Sequence, residues 1–455
     1  MLYRAYKAEK IEYTDVNHAP RLMVWLLYGY VILSPFSAFS FLNIAGRGFG
    51  RADWLIVVLM VGACIAYRLR PYRSPANKFV LLFIFSAILS AYNLLNISSN
   101  AQVTDYFTTG AQLLLAVAFF FVVSSLSLNE RELRTGLRIW IITALLVSLY
   151  AIYQVVAFAF NWPFAHLEFT NPSITYAGGE ARIFARYLQV SSVFREPSYL
   201  GSYLIGPIIL LSLFLLKGRG NLLLSKSFMT NLIILVVLSL ALFLTSSQSA
   251  YLTLLAVLGF MYLSGLIART KTIKLLLGFA FFLIIGGLLA ATFQIDFLGS
   301  LVLRFKYLIL NMMNPEGTLE VTSYRVRSEC TLAALKIWAS HPLLGVGLNN
   351  MRYHTDVCEF SMGWAQLLAD QGLFGLVALG LLLWSLFRSL KKLSGDRRLP
   401  AFWSIVCIVI IFILISDIVN GVFTSNWDSL QRWFTLAIAN LLYIRANSIL
   451  SADTG

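Results

Sequence analysis

Long apolar runs almost free of charge constrain this chain more than any other feature of its sequence. Twelve such runs follow one another over 455 residues. A run of about 18 or more apolar residues crosses a bilayer as a helix, and only helices or closed barrels satisfy the backbone hydrogen bonds in lipid. These runs are too long for barrel strands. The sequence therefore predicts an all-α, polytopic membrane protein, folded as a single integral membrane domain over residues 1–455.

The expected spans carry very little charge. Charged residues make up 12% of the whole chain, about half the share usual in soluble proteins. The spans lie near 22–43, 54–67, 79–96, 109–127, 138–160, 199–216, 231–246, 250–267, 274–293, 373–389, 402–420 and 429–445.

Basic residues outside the spans set the expected orientation. With the N-terminus placed in the cytoplasm, the cytoplasmic segments hold 23 of the 35 Lys and Arg residues and seven of the 21 acidic residues. Cytoplasmic loops of membrane proteins carry such an excess of Lys and Arg. Both termini are therefore expected in the cytoplasm, and the net charge of +14 reflects membrane orientation and not nucleic-acid binding.

Two segments on the opposite, outer side are long, and they run over 161–198 and 294–372. The second begins with an amphipathic pattern over 297–312, which favours a helix at the membrane surface. A second helix is expected over 323–340, with one apolar stripe, and it ends before Pro342. The stripe consists of Val326, Cys330, Ala334 and Ile337.

Three motifs in these outer regions resemble those of one protein family. Arg327 is followed by PLLGVG at 342–347 and then by LLADQGLFGLVALGLLL at 367–383. VSSVFREPSYLGSYL occupies 190–204, and LTSSQSAYLTLLAV occupies 244–257. In order and spacing the set resembles the O-antigen polymerase and O-antigen ligase superfamily. This chain has Gln248 where the family often has Arg.

The resemblance implies a C-type, membrane-embedded glycosyltransferase that works on the periplasmic face of a bacterial inner membrane. Its donor would be a glycan on undecaprenyl diphosphate, and its acceptor another lipid-linked repeat unit, or lipid A core in a ligase. The implied reaction is inverting and uses neither metal nor cofactor. Inner-membrane lipids surround such enzymes. The resemblance also implies flippase and chain-length regulator proteins as partners.

Arginine suits the chemistry of such a donor. A diphosphate leaving group carries negative charge, and the planar arginine fork binds phosphate oxygens in pairs while staying ionised. The four His and four Cys show no spacing typical of a metal site. Alternatively, the two arginines of the second outer segment form a solvated helix face. The candidate diphosphate ligands are Arg186, Arg195, Arg325 and Arg327.

Two residues are candidates for the base that accepts the proton of the acceptor hydroxyl. His354 lies in the loop after the glycine-rich turn, and Glu196 lies beside Arg195 at a helix start. Family ligases carry His-Asn where this chain has Ser361-Met362, which favours a polymerase. The alternatives are a surface-loop histidine for His354 and a helix-capping pair with Ser198 for Glu196.

Several aromatic residues of the outer segments are candidates to stack on sugar rings, namely Trp338, Tyr353 and Trp364. One further acid, Asp417, falls within the eleventh expected span beside Asn420, and an acid at such a position is a functional candidate. A rival class of function is a secondary transporter or lipid-linked sugar flippase, which would need broken or charged helices near the midplane.

The four cysteines are expected in two environments, with two cysteines in each. Cys64 and Cys407 fall in spans and are expected to be buried and reduced. Cys330 and Cys358 both fall in the second outer segment, where an oxidising compartment permits a disulfide. The alternative is that Cys330 packs on the apolar stripe of its helix.

Overall fold

The apolar runs form α-helices in the computed structural model, which describes residues 19–44, 47–96, 99–167, 181–184, 187–218, 223, 227–266, 270, 273, 322–356, 363–422 and 429–452. The fold is all-helical. The helices within these residues are α1 (Arg21–Leu33), α2 (Ala52–Ala66), α3 (Pro75–Ser90), α4 (Asn100–Ser124), α5 (Glu130–Phe160), α6 (Pro197–Leu216), α7 (Phe228–Leu244), α8 (Gln248–Ser264), α9 (Thr322–Ser340), α10 (Gly363–Ser394), α11 (Ala401–Asn420) and α12 (Leu430–Ala452).

Seven of these helices, α3 to α6 and α10 to α12, have the length and apolar composition of membrane spans. The shorter apolar helices α2, α7 and α8 coincide with three more expected spans. Helix α1 covers only the first part of the span expected over 22–43, because the helix ends at Leu33 and a strand begins at Ser40. The ninth expected span, near 274–293, lies outside the described residues, as does the amphipathic helix expected over 297–312. The helical membrane fold is thus confirmed in outline, and α9 is the polar helix expected over 323–340.

Two helices extend well beyond the spans expected from hydropathy. Helix α4 begins at Asn100, and its added turns contain the acid Asp105, whose carboxylate pairs with Arg352. Helix α10 covers 32 residues because its first turns pack under the loop that follows α9. Hydropathy alone missed both extensions because each depends on a partner distant in sequence.

Side-chain caps define several helix starts. Helix α5 begins with a capping box, in which the Asn129 side chain accepts from the Glu132 N–H and the Glu132 carboxylate accepts from the Asn129 N–H, both at 2.8 Å. It ends at Asn161, which has the left-handed φ of 52°. Serine hydroxyls cap three further helices, namely Ser99 at α4, Ser227 at α7 and Ser247 at α8.

Within the described residues, two antiparallel hairpins interrupt the helical fold, and neither was predicted from the sequence. Strands β1 (Ser40–Ile44) and β2 (Arg47–Arg51) pair between α1 and α2, and β3 (Ala181–Phe184) and β4 (Tyr187–Val190) pair between α5 and α6. The second hairpin therefore lies in the first long connection, immediately before the FREPS motif.

Contacts between helix ends define two ends of the bundle. At one, which we call the loop end, the turn at 351–353 contacts the start of α4, and Trp364 contacts the end of α11. At the other, Arg445 near the end of α12 donates to the Leu128 carbonyl at 2.9 Å. We call this the basic end because it carries Arg131, Arg138, Lys217, Lys391, Lys392, Arg397 and Arg398.

Candidate functional site

The candidate site is built on a break in helix α10. Gly372 has φ 65° and ψ −161°, far from helical values, although the segment Gly363–Ser394 is helical on both sides of it. A break of this kind removes intrahelical hydrogen bonds, so the carbonyls before it and the amides after it need other partners.

The glycine-rich loop at 342–350 supplies those partners. Two loop amides donate to carbonyls that precede the break, and two amides that follow the break donate to loop carbonyls. These hydrogen bonds are Val346 N–H to Ala369 O at 2.7 Å, Gly347 N–H to Asp370 O at 2.9 Å, Leu373 N–H to Pro342 O at 2.9 Å and Phe374 N–H to Leu343 O at 3.2 Å. The loop and the broken helix therefore form one hydrogen-bonded unit.

Two glycines allow this close backbone approach. A Cβ atom at Gly372 would lie 2.3 Å from the Leu343 carbonyl oxygen, and one at Gly345 would lie 2.4 Å from the Asp370 carbonyl carbon. Both glycines also have positive φ, a conformation that L side chains rarely adopt. Each motif glycine thus has a steric reason to be glycine in this chain.

Helix α3 holds the break from the opposite side. The Asn93 amide, just beyond α3, donates to the Gly345 carbonyl, and the Ser86 hydroxyl donates to the Gln371 side-chain oxygen at 2.8 Å. Gln371 and the neighbouring Asp370 are fully buried. The break therefore places two buried polar side chains at the junction of α3, α10 and the loop.

A second anchor fixes the turn that carries His354. The Arg352 guanidinium and the Tyr353 hydroxyl both donate to the Asp105 carboxylate on α4. The Arg352 guanidinium also lies 5.2 Å from the centre of the Tyr353 ring. This cluster ties the turn at 351–353 to α4, and His354 follows it directly.

His354 has an exposed side chain and lies beside a second histidine. Its ring centre lies 6.0 Å from that of His341, whose Nδ1 is 3.0 Å from the Ser340 hydroxyl. Partial desolvation by neighbouring atoms, together with the charge that His341 can carry, lowers the pKa of His354 below its ordinary value of 6.5. His354 is therefore neutral at pH 7, with one ring nitrogen able to accept a proton.

Glu196 lies at the N-cap position of α6, with extended backbone angles of φ −140° and ψ 151°. Its carboxylate accepts a hydrogen bond from the Ser198 hydroxyl at 3.2 Å and caps no helix amide. The local pair with Ser198 expected as the alternative is thus present. Arg195 beside it is half-buried, and the base and diphosphate roles stay predictions.

The chain before Glu196 is pinned to α5. The Gln154 side-chain oxygen accepts from the Ser192 N–H at 2.9 Å, and the Ser192 hydroxyl donates to the Val147 carbonyl at 2.8 Å. Gln154 and Ser192 are fully buried. The FREPS motif therefore starts from a rigid anchor.

Helix α9 presents the expected apolar stripe to the site. Cys330, Ala334 and Ile337 are buried, and the last two pack with residues of the loop and the start of α10. Arg325 and Arg327 lie in the first turns of α9, but their side chains, like Arg186 as a whole, fall outside the described part of the structure. Their diphosphate roles stay predictions.

Cys330 is also disulfide-bonded. Cys64 and Cys407 are free thiols. Cys358, the partner expected from the sequence, lies outside the described residues, so the pairing of Cys330 with Cys358 stays a prediction. Cys407 is buried as expected, whereas Cys64 is half-buried. Cys64 lies near the end of α2, a helix with many exposed apolar side chains.

The three aromatic candidates use their polar atoms within the protein. The Trp338 indole donates to the Pro342 carbonyl at 3.1 Å, and the Trp364 indole donates to the Ile418 carbonyl at 3.0 Å. The Tyr353 hydroxyl donates a hydrogen bond to the Asp105 carboxylate. Stacking on sugar rings stays a prediction, and the ring faces are the parts that would do it.

Sequence reasoning missed Asp105, Arg352 and Asp370. The signal for the two acids was present, since each is a charged residue within or beside an apolar run. Among the residues that the structure describes, no three His, Cys, Asp or Glu side chains gather in a group able to hold a metal ion.

Comparison with known proteins adds no family to this description. No protein-family model matches the chain, and no curated protein matches it in sequence. The function is therefore argued from the site and from the motifs alone.

Proposed function

We propose that this chain is a membrane glycosyltransferase that joins undecaprenyl-diphosphate-linked oligosaccharide repeat units into O-antigen, exopolysaccharide or a similar surface polysaccharide. The reaction belongs on the periplasmic face of a bacterial inner membrane, at the loop end of the bundle. One observation carries the proposal: the two segments of strongest resemblance, 342–350 and 367–375, pair through their backbones into one unit.

Arg327 is the leading ligand for the diphosphate. Seven residues, or about two helical turns, separate it from Ala334, which is fully buried in the cluster with the loop and α10. Position 327 therefore lies on the side of α9 nearest the site, whereas position 325 falls on the far side. This arrangement favours Arg327 over Arg325.

The proposed reaction is a direct displacement. The acceptor hydroxyl oxygen attacks the anomeric carbon, the bond from that carbon to the diphosphate oxygen breaks, and undecaprenyl diphosphate leaves with the bonding electron pair. Arginine donors already in place stabilise the charge that develops on the leaving group. The acceptor proton passes to a base, for which His354 and Glu196 are the candidates.

A ligase that transfers glycan to lipid A core is the second candidate function. It is less favoured because this chain has Ser361-Met362 where the resembled ligases have His-Asn. A transporter is less favoured because the break at Gly372 precedes the apolar span expected over 373–389. Broken helices of transporters lie near the membrane midplane.

Deletion of the chain from its own cell separates these functions. A polymerase predicts that single repeat units still reach their acceptor or are exported unpolymerised. Polymer that accumulates on the lipid carrier, with all transfer lost, would indicate a ligase, and repeat units retained in the cytoplasm would indicate a flippase.

Substitution of Arg327 tests the diphosphate role. Arg327→Ala is expected to lower polymer synthesis by about 10²- to 10³-fold, the usual cost of removing one such donor. Arg327→Lys is expected to lose most activity because the paired donor geometry is lost. Polymer length on gels and membrane abundance by immunoblot are the measurements.

Lys336→Ala is the matched control, because Lys336 is an exposed basic residue on the same helix. It should leave polymer length unchanged. Full polymer from Arg327→Ala at normal abundance would disprove the assigned role.

A further inference from the structure

A cavity of about 140 Å³ lies inside the bundle, between α1, α5, α6, α11 and α12. Its wall extends from Tyr28 and Glu132, near the basic end, to Ser34 and Asp417, nearer the loop end. None of the residues assigned above to the glycosyltransferase site lines it. The cavity therefore requires an explanation of its own.

The walls are mainly hydrocarbon. An enclosed apolar cavity of about 150 Å³ stays dry and takes a benzene-sized molecule, so this one has room for a five- or six-carbon segment. Lipid chains are the apolar molecules at hand around a helical membrane bundle. The apolar lining includes Leu27, Leu137, Ile410, Ile413, Phe434 and Ile438.

Three side-chain donors that line the cavity already have acceptors. The Ser202 hydroxyl donates to the Ser198 carbonyl at 2.8 Å, and the Thr435 hydroxyl is 3.1 Å from the Gln431 carbonyl. The Gln431 amide donates to the Ser34 carbonyl at 3.2 Å.

What remains there is the acceptor capacity of Asp417 and Gln431 together with the hydroxyls of Tyr30 and Tyr203, which have no hydrogen-bond partner among the described residues. The Asp417 carboxyl and the Gln431 side-chain oxygen have lone pairs to offer. Asp417 Oδ2 is buried without a hydrogen-bond partner among the described residues, and so is the hydroxyl of Tyr30, which also lines the cavity. A buried polar atom without a partner is costly, so this side of the cavity suits a ligand that both donates a hydrogen bond to the carboxyl and accepts one from a tyrosine hydroxyl.

The charged residues that line the cavity further restrict the class of ligand that it can bind. The charged residues that line the cavity within the described chain are Glu132 and Asp417, both acidic. Arg432 does not line this cavity. It lines a smaller neighbouring cavity, which shares Asp417 with the larger one, and its guanidinium donates to the Asp417 backbone carbonyl at 3.3 Å. A phosphate group in the larger cavity would face a carboxyl group and no lining cation.

We propose that this cavity binds an uncharged lipid alcohol. The five or six carbons nearest the hydroxyl lie between α1, α5, α6, α11 and α12, the rest of the chain extends out of the cavity, and the terminal hydroxyl donates to the Asp417 carboxyl. This site is separate from the diphosphate site and does not depend on the polymerase assignment, since its test uses no glycan.

Photolabelling of the full-length protein in lipid nanodiscs tests the proposal. The probe is hexadecanol with a diazirine in its chain and a terminal alkyne, and matched probes carry a phosphate monoester or an amine in place of the hydroxyl. The alcohol is expected to label peptides of α1, α6, α11 and α12, and excess unlabelled hexadecanol should abolish that labelling. The phosphate probe should label these peptides about tenfold less, the loss expected for one charge-assisted hydrogen bond.

Substitution of Asp417 tests whether its carboxyl binds the hydroxyl of the lipid alcohol. Asp417→Leu should lower labelling by the alcohol about tenfold, which again corresponds to one such hydrogen bond. Ile418→Ala is the control, since Ile418 is the next residue but lines the small cavity and is 38% exposed. It should label like the parent protein.

Three results would overturn the proposal. Equal labelling by alcohol and phosphate would show a non-selective lipid belt, and stronger labelling by the amine would show a site for cationic amphiphiles. Unchanged labelling of a folded Asp417→Leu protein would remove the carboxyl from the site. If that variant does not fold, the comparison of probes and the competition on the parent protein decide.

Discussion

At the scale of single residues, the site depends on where backbone meets backbone. Gly345 in the loop packs against the Asp370 backbone, and Gly372 in α10 packs against the Leu343 backbone, so neither glycine has room for a Cβ atom. By contrast, Gly380, two turns further along the same helix, has no atom within 4 Å of the Cβ position. Gly372 and Gly380 therefore form a matched test and control for substitution by alanine.

Gly372→Ala is expected to destabilise the protein. The positive φ and the contact of 2.3 Å with the Leu343 carbonyl together should cost at least about 1–3 kcal/mol, the usual strain of one residue in a rare conformation. The melting temperature in detergent measures this loss. Gly380→Ala should leave the melting temperature unchanged or slightly higher. If Gly372→Ala and Gly380→Ala changed the melting temperature equally, the close backbone contact between the loop and α10 would be disproved as the cause.

His354 gives the site a dependence on pH. Its folded-state pKa is below 6.5, so below that pH the unfolded chain binds more protons than the folded chain. The contribution of neutral His354 to stability is therefore complete above pH 6.5 and is lost as the pH falls toward the lower folded-state pKa. The melting temperature should fall between pH 7.5 and pH 5.5.

His354→Gln keeps hydrogen-bonding capacity but does not titrate in this range. Its melting temperature should vary less over the same pH interval than that of the parent protein. Identical pH profiles for the two proteins would show that His354 is neutral in both states or contributes nothing.

Residue chemistry was partly predictable from sequence, but residue partners were not. The stripe of Cys330, Ala334 and Ile337 followed from helical spacing and is confirmed. The pairing of Arg352 with Asp105 was not foreseen, because it joins positions 247 residues apart. The sequence pattern indicates which face of a helix is apolar, but only the three-dimensional structure shows which residues contact that face.

At the scale of elements, the helices followed from hydropathy and the irregular pieces did not. A membrane span is fixed by its own length and composition, so the described spans were found one at a time. The break at Gly372 depends on four hydrogen bonds from another segment. The hairpins β1–β2 and β3–β4 lie in connections, where periodicity carries little signal.

The disulfide of Cys330 is expected to stabilise the contact between α9 and the site. A bridge to Cys358 closes a loop of about 28 residues, worth roughly 3–4 kcal/mol by chain entropy. Cys330→Ser should lower the melting temperature accordingly, and peptide mapping without reductant should recover a linked peptide from the parent protein.

Cys64→Ser is the control, since Cys64 is a free, half-buried thiol. It should change stability little and leave the linked peptide intact. Ready maleimide labelling of both Cys330 and Cys358 without reductant would contradict the bridge.

At the scale of the whole molecule, the proposed orientation places the loop end outside and the basic end inside. A membrane-impermeant maleimide applied to spheroplasts should label Ser340→Cys, an exposed position at the end of α9. It should label Gly395→Cys, exposed just after α10, only once the membrane is permeabilised. The reverse pattern would invert the topology and move the site to the cytoplasm.

Reconstitution of the purified protein with its own lipid-linked repeat unit is the most direct test of polymerase activity. We expect a ladder of products that grow by whole repeat units, with one undecaprenyl diphosphate released for each bond formed, and about 10²- to 10³-fold less product with Arg327→Ala. Repeat units that cross the bilayer without any change in length, in a preparation shown to be folded, would contradict polymerase activity.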